Sequence, residues 1–383
     1  MPSPSAEARA HSELVVAHIA QTIATAGGWI SFADYMGAAL YAPGLGYYSA
    51  GARKFGREGD FVTAPELTPL FGRALATQLA DVLAGVSEGE LIELGPGTGR
   101  LAADVLAALA PRDALPTRYR LMEISPDLRA RQDEYLRRRI PELFARVEWV
   151  DDLPERWRGV VIVNEVLDAV PPHLVVRRGG DWFERGVALD AGRHLTWSDR
   201  PLARGTLRNT ACALFPPVCD YVSEINPAAQ ALVKNIAQRC ETGALLVMDY
   251  GFPAAEYYHP QRSAGTLMTH YRHRALSDPF FLPGLADLTA HVDFSAIAHA
   301  GVAGGMTVAG FTTQAHFLIN CGILDELTSH GDVQATAYLR SASAVQKLLS
   351  PAEMGEHVKV LAMARGMKEN LVGFHNGDRT HSL

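Results

Sequence analysis

In Glu93-Leu94-Gly95-Pro96-Gly97-Thr98-Gly99 an acid stands two residues before the first of three alternating glycines. Leu91 and Ile92 lead in as an apolar strand, and Leu101, Val105, Leu106 and Leu109 share one helical face behind the turn. Strand, glycine turn and helix make the opening unit of a nucleotide-binding α/β sheet. A dinucleotide fingerprint requires a further glycine where Arg100 stands. The E-x-G-x-G-x-G turn suits instead a ligand without pyrophosphate but with a charged amino-acid end. Glu93 can meet its ammonium, directly or through water, while the backbone of Gly95, Pro96, Gly97 and Gly99 passes close to the adenosine. That ligand is S-adenosylmethionine.

Ligands of open α/β sheets lie outside the carboxyl ends of the strands. Glu123 ends a second strand, where a carboxylate can accept both ribose hydroxyls; a solvated strand end is the alternative. Asp151 and Asp152 end a third, where an acceptor can meet the adenine amino group, although turns favour Asp on their own account. Asn164-Glu165-Val166-Leu167-Asp168 follows the fourth strand, the position that faces a transferring methyl group. Glu165 and Asp168, three apart on a first helical turn, would project the same way and could clamp a guanidinium bidentately. The competing reading keeps Asn164 and Asp168 as helix caps and Glu165 in solvent. His291 and Asp293 could form an acid–base pair on a helix or be structural. Cys212 and Cys219 have no local base and read as core, and Arg53, Lys54 and Arg57 could contact a ligand or belong to a solvated loop.

The elements that must position these groups are legible in part. Residues 12–26 are helical by period and stop at Gly27-Gly28. Residues 29–72, with many glycines, prolines and aromatics, read as an irregular lobe. Strands are expected at 119–123, 147–150 and 160–163, the last a continuous apolar run covered on both faces, in a parallel sheet. Residues 174–198 read as an inserted β-meander turning at Gly179-Gly180. A helix over 227–239 and a fifth strand over 244–249 follow. The long segment 251–287 reads as irregular and functional, 287–300 as helical, 306–309 as extended, and most of 312–365 as helical.

The chain has 383 residues, 48% hydrophobic and 20% charged, the balance of a soluble globular protein. A net charge of −7 argues against a dedicated nucleic-acid binder. Its four cysteines lack C-x-x-C spacing and read as reduced thiols, with no metal site expected. Neither a signal, a presequence nor an apolar span is expected, which gives a cytoplasmic chain.

Further segments carry a family resemblance: Ile30–Met36, Leu40–Tyr48, Gly59–Glu66, Asn164–Pro171, Asp249-Tyr250-Gly251, Asp278-Pro279-Phe280 and Asp287–Phe294. Over about residues 28–365 the chain resembles the MidA-like family of S-adenosylmethionine-dependent methyltransferases, whose mitochondrial members assist assembly of respiratory complex I. The resemblance implies an α/β class I (Rossmann-like) sheet with an N-terminal lobe, 1–75, covering the cofactor. The methyltransferase domain would occupy 76–383, with β-meander and helical insertions at about 174–225 and 251–305. It implies dimethylation of a protein arginine, with a complex I subunit as the family's target. Glu93, the turn glycines and Glu123 would bind cofactor, Thr63, Pro65 and Glu66 would close over it, and Asn164, Glu165 and Asp168 would face the substrate. A small-molecule methyltransferase and an assembly chaperone without turnover are the competing functions.

Overall fold

The computed structural model describes residues 4–50, 63–329, 335–367 and 370–383. They divide into two units, one drawn from residues 1–61, 168–229 and 254–291, the other from 62–167, 230–253 and 292–383.

The second unit carries the glycine turn. It begins with the short helix α1 (Ala64–Leu67) and the helix α2 (Pro69–Ala84), then β1 (Glu90–Leu94) and α3 (Arg100–Leu109). Next come β2 (Tyr119–Met122), α4 (Pro126–Arg139), β3 (Val147–Val150) and β4 (Trp157–Asn164). After the intervening segment it resumes in α5 (Pro227–Arg239), β5 (Cys240–Phe252), α6 (Phe294–Ala303), β6 (Thr307–Thr313) and β7 (Val358–Arg365). Sheet order is β6-β7-β5-β4-β1-β2-β3. The strands from β3 to β5 run parallel and β7 runs antiparallel to both its neighbours. Val160–Val163 are wholly buried, as a strand covered on both faces must be. Leu75 and Leu79 of α2 and Leu101 and Val105 of α3 join Val160, Ile162, Leu246 and Val360 in one core. The polarity of this sheet puts the turn after β1, Glu123 after β2 and Asn164 of β4 at one edge.

In the first unit, helix Ala6–Thr25 is capped by Ser5 and buries Val15, Ile19 and Ile23. Helix Phe32–Tyr41 opens on a capping box between Ser31 and Asp34. The meander is present: His173–Arg178, Asp181–Leu189 and Leu195–Pro201 pair antiparallel in sequence, joined at the edges by Asp220–Ile225 and Ile30–Ser31. A second sheet contains Arg274–Leu276, Met268–Tyr271 and Asp287–Thr289.

Several expectations are corrected. The lobe expected to be irregular over 29–72 contains the helix Phe32–Tyr41, α1 and the start of α2, because Ser31 and Thr68 supply caps that interrupt the loop-like composition. Residues 251–287 hold short strands. Residues 287–293 are extended, and α6 starts only at Phe294 behind its cap Asp293. Val358–Arg365 is a strand although Leu, Ala, Met and Lys favour helix; burial between β5 and β6 overrides propensity there. Cys212 and Cys219 are exposed, whereas Cys240 and Cys321 are buried.

Candidate functional site

The backbone of the glycine turn explains its composition. Gly95, Gly97 and Gly99 have φ of +60°, +55° and +79°, a region that any side chain occupies at a cost. A Cβ on Gly95 would also stand 3.0 Å from Val166 Cγ2. The Gly99 N–H donates to Pro96 O at 2.8 Å and closes the turn ahead of α3.

Two buried carboxyls flank it. Glu93, 3% exposed, accepts the Tyr119 hydroxyl at 2.8 Å. Burial pushes its pKa up to about 7, with the Tyr119 hydrogen bond pulling back and Glu123 adding to the rise. Glu123 accepts Ser125 N–H at 2.8 Å and Gln132 Nε2 at 3.1 Å, which oppose the upward push of burial. Gln132 also donates to Gly97 O at 2.8 Å and accepts Trp149 Nε1 at 2.8 Å. One buried amide therefore fixes the turn, Glu123 and β3 relative to one another. A polar residue within a strongly polar helix gave no sign of this role. Asp151 and Asp152 are exposed, Asp151 paired with Arg129 at 2.6 Å and Asp152 accepting Leu153 N–H at 2.7 Å.

Helix α1 is tied to both sides of this edge. The Thr98 hydroxyl donates to Glu66 Oε1, and Arg100 Nη1 donates to Glu66 O at 3.0 Å. Arg100, the residue standing where a dinucleotide fold has glycine, thus serves as an anchor. Ala64 N–H donates to Glu165 Oε1 at 3.1 Å. Thr63 is the N-cap of α1 without a side-chain bond, and Pro65 is buried at its start.

No α-helix follows β4, contrary to the expected first helical turn. Glu165 sits in a bend at φ +51°, and a single 3₁₀ turn spans Leu167–Ala169 before Pro171-Pro172. Asp249, buried in β5 three residues before its end, accepts Val166 N–H at 3.1 Å and Leu167 N–H at 2.8 Å. Those bonds satisfy the backbone that a helix would have satisfied. Asp249 stood at the carboxyl end of the strand expected over 244–249, the signal used for Glu123, and was a missed positioning residue. Asn164 Nδ2 lies 3.5 Å from Glu165 Oε1.

Asp168 belongs to the first unit. It keeps part of its surface open, yet protein packed around it pushes its carboxyl up to about 7 against its backbone hydrogen bonds. The His291 backbone N–H donates to Thr266 Oγ1, and the Asp293 side chain caps α6 through Ala296 N–H, so Asp293 has a structural task. Arg53, Lys54 and Arg57 lie outside the described residues. No group of three or more His, Cys, Asp or Glu able to hold a metal ion occurs among the described residues.

A family model described as "Putative S-adenosyl-L-methionine-dependent methyltransferase" matches residues 71–312. The chain belongs to this family. It is similar to the mitochondrial protein arginine methyltransferase NDUFAF7 homologs of Caenorhabditis elegans and Drosophila melanogaster. The first is 31% identical over 325 residues, 77% of this chain and 74% of the relative. The second is 31% identical over 388 residues, 91% of this chain and 85% of the relative. A Burkholderia thailandensis protein crystallised with S-adenosyl-homocysteine is 48% identical over the full length of both chains, with a TM-score of 0.97. The sheet of this methyltransferase family member is therefore the class I sheet, its cofactor is the S-adenosylmethionine expected from the turn, and the methyltransferase class implied by the resemblance holds. The cytoplasmic expectation is overturned, since the curated relatives are named as mitochondrial proteins. It rested on terminal composition and on the want of an apolar span, neither of which distinguishes the cytoplasm from the interior of an organelle. No helix among the described residues is long and apolar enough to cross a membrane.

Proposed function

We propose that the chain transfers a methyl group to a guanidinium nitrogen of an arginine in a partner protein. Similarity at 31% identity to relatives named protein arginine methyltransferases, over as much as 91% of the chain, carries this reading. Within that class, the family resemblance makes a subunit of respiratory complex I the proposed target.

Glu93, Glu123 and the backbone of Gly95, Pro96, Gly97 and Gly99 would hold the cofactor, whose sulfonium supplies an electrophilic methyl group. The donor and acceptor chemistry fits. Glu123 accepts from Ser125, Gln132 and the Ile124 backbone, and a carboxylate has about four acceptor sites, which leaves room for a ribose hydroxyl. Glu93, raised toward neutrality by burial, gains a reason to ionise once an ammonium is beside it. Thr63, Pro65 and Glu66 would flank the cofactor through the anchoring of α1 on the turn, and Asp151 and Asp152 would serve the adenine end. Asn164, Glu165 and Asp168 would bind and orient the guanidinium. Displacement at the sulfonium leaves neutral S-adenosylhomocysteine, and the methylated nitrogen gives up one N–H proton to water, so these residues act chiefly by alignment, which can supply roughly 7–11 kcal/mol of barrier reduction.

The test is transfer of tritiated methyl from S-adenosylmethionine to extract proteins by the purified chain, followed by acid hydrolysis and amino-acid analysis. Label in methylated arginine, lost in Glu165→Gln with S-adenosylhomocysteine affinity retained, is the expected result. Label confined to small molecules or to other amino acids would overturn the substrate class.

A further inference from the structure

Glu93 and Tyr119 lie on neighbouring parallel strands of one sheet. The register sets Leu91 of β1 beside Tyr119 of β2, and Glu93 beside Leu121. Residues two apart on a strand share a face, so Tyr119 and Glu93 are diagonal neighbours on the face that Leu91 also occupies. A phenol is long enough to cover that offset, and the Tyr119 hydroxyl donates to Glu93 Oε2 at 2.8 Å. Tyr119 is wholly buried, and this is the one hydrogen bond its hydroxyl makes among the described residues. The second oxygen of Glu93, Oε1, takes no hydrogen bond from the described residues, yet it is not sealed from solvent. The carboxyl is held on one side and open on the other.

Packing alone does not call for this hydroxyl. Phenylalanine would fill the same space, and a buried hydroxyl adds the need for an acceptor. What the hydroxyl supplies is direction. The last torsion of a glutamate is broad and roughly two-fold, so a carboxyl without a fixed partner turns readily. The bond to Oε2 leaves Oε1 as the oriented acceptor two residues before the glycine turn. It also favours the ionised carboxyl against the upward push of burial. Burial and the charge of Glu93 hold the Tyr119 phenol well above its ordinary pKa, so it stays a donor whether Glu93 carries its proton or not. An ammonium, which has donors and no acceptor, then meets an oxygen whose direction is set before it arrives.

We propose that Tyr119 is a positioning residue for the amino-acid end of the cofactor: by holding Oε2 of Glu93 it directs Oε1 at the ammonium, and so favours ligands that carry that group over ligands that lack it. This rests on the reading of Glu93 as the partner of the ammonium, and it adds a residue that acts only through Glu93. Its effect must therefore vanish when either the ammonium or the Glu93 carboxyl is removed.

The experiment titrates the full chain with S-adenosylhomocysteine and with 5′-methylthioadenosine, which keeps the thioether and adenosine but has no amino-acid end. Tyr119→Phe, which removes one oxygen, is expected to weaken S-adenosylhomocysteine about tenfold at pH 7, the equivalent of one pKa unit on Glu93, and 5′-methylthioadenosine by less than about twofold. The rise of S-adenosylhomocysteine affinity with pH should move up by about one unit, because the lost bond no longer favours the ionised carboxyl. In a Glu93→Ala chain, Tyr119→Phe should change S-adenosylhomocysteine affinity by less than about twofold, as partners in one interaction do. If Tyr119→Phe fails to fold, 3-fluorotyrosine at position 119, a stronger donor of nearly equal size, decides the matter by moving the pH rise downward. Equal loss of both ligands, unchanged S-adenosylhomocysteine affinity, an unmoved pH profile, or a loss that persists in full in the Glu93→Ala chain would overturn the proposal. The two readings fail separately. Glu93→Ala that weakens both ligands alike overturns Glu93 as the partner of the ammonium, whereas a selective loss in Glu93→Ala with none in Tyr119→Phe overturns the role of Tyr119 alone.

Discussion

Glu93 carries a prediction that its position in the turn does not by itself reveal. Its pKa is raised from 4.5 to about 7, mainly by burial. For an acid raised on folding, the native state holds its proton longer than the unfolded state does. Stability from this group is therefore full below about pH 4.5 and declines as pH rises toward 7, by roughly 3 kcal/mol in all. Urea titrations of the ligand-free chain across that window should show the decline, and Glu93→Gln should flatten the part due to this residue. If the cofactor's ammonium meets Glu93, binding must release a proton below pH 7. Affinity for S-adenosylhomocysteine should then rise with pH between about 5.5 and 7, below the ordinary α-amino range of about 7.7–8.0. Calorimetry in buffers of different ionisation enthalpy counts that proton; a count of zero would separate Glu93 from the ammonium. Asp249 makes the complementary case of a structural acid. Asp249→Ala leaves the N–H groups of Val166 and Leu167 without their acceptor, at about 1–3 kcal/mol each if they stay buried. Loss of methyl transfer larger than any loss of cofactor affinity is expected, because the bend that presents Glu165 is what relaxes.

Among the elements, α1 is too short to be stable alone and is held by its bonds to the turn and to Glu165. Glu66→Ala should raise the Kd for S-adenosylhomocysteine by about tenfold, equivalent to about 1.4 kcal/mol, with a small change in Tm. Thr98→Val should do much the same, and the double variant should fall short of the sum, as partners in one bond do. Additive losses would mean that α1 is positioned by something else. The same contrast between local and distant causes decides what the sequence could reveal. The turn, β1 to β5 and the meander were readable because each carries its own period, glycine or cap. The strand β7 was not, since Val358–Arg365 has helix-favouring residues and becomes a strand only through pairing with β5 and β6. The β4 bend misled for a related reason: the acceptor that replaces a helix there is Asp249, more than eighty residues on. Gln132 escaped notice because its three partners come from the turn, β2's end and β3, and nothing local announces them.

At the scale of the whole molecule, charge is the property that the substrate reading uses. The chain carries a net charge of −7, and an arginine-bearing segment brings positive charge to it. Such a pair is steered together at low ionic strength, where fields extend about 30 Å at 0.01 M salt against about 8 Å at 0.15 M. Methyl transfer itself neutralises no surface charge, so salt should act on encounter and not on the chemical step. The expected outcome is a KM for a protein substrate that rises several-fold between those salt concentrations while kcat stays level. The N-acetyl amide of arginine, a single charge with no extended surface, should show a weaker dependence. A flat KM for the protein substrate would remove long-range attraction from the account and leave recognition to short-range contacts. A kcat that fell with salt would instead place a conformational or release step under electrostatic control.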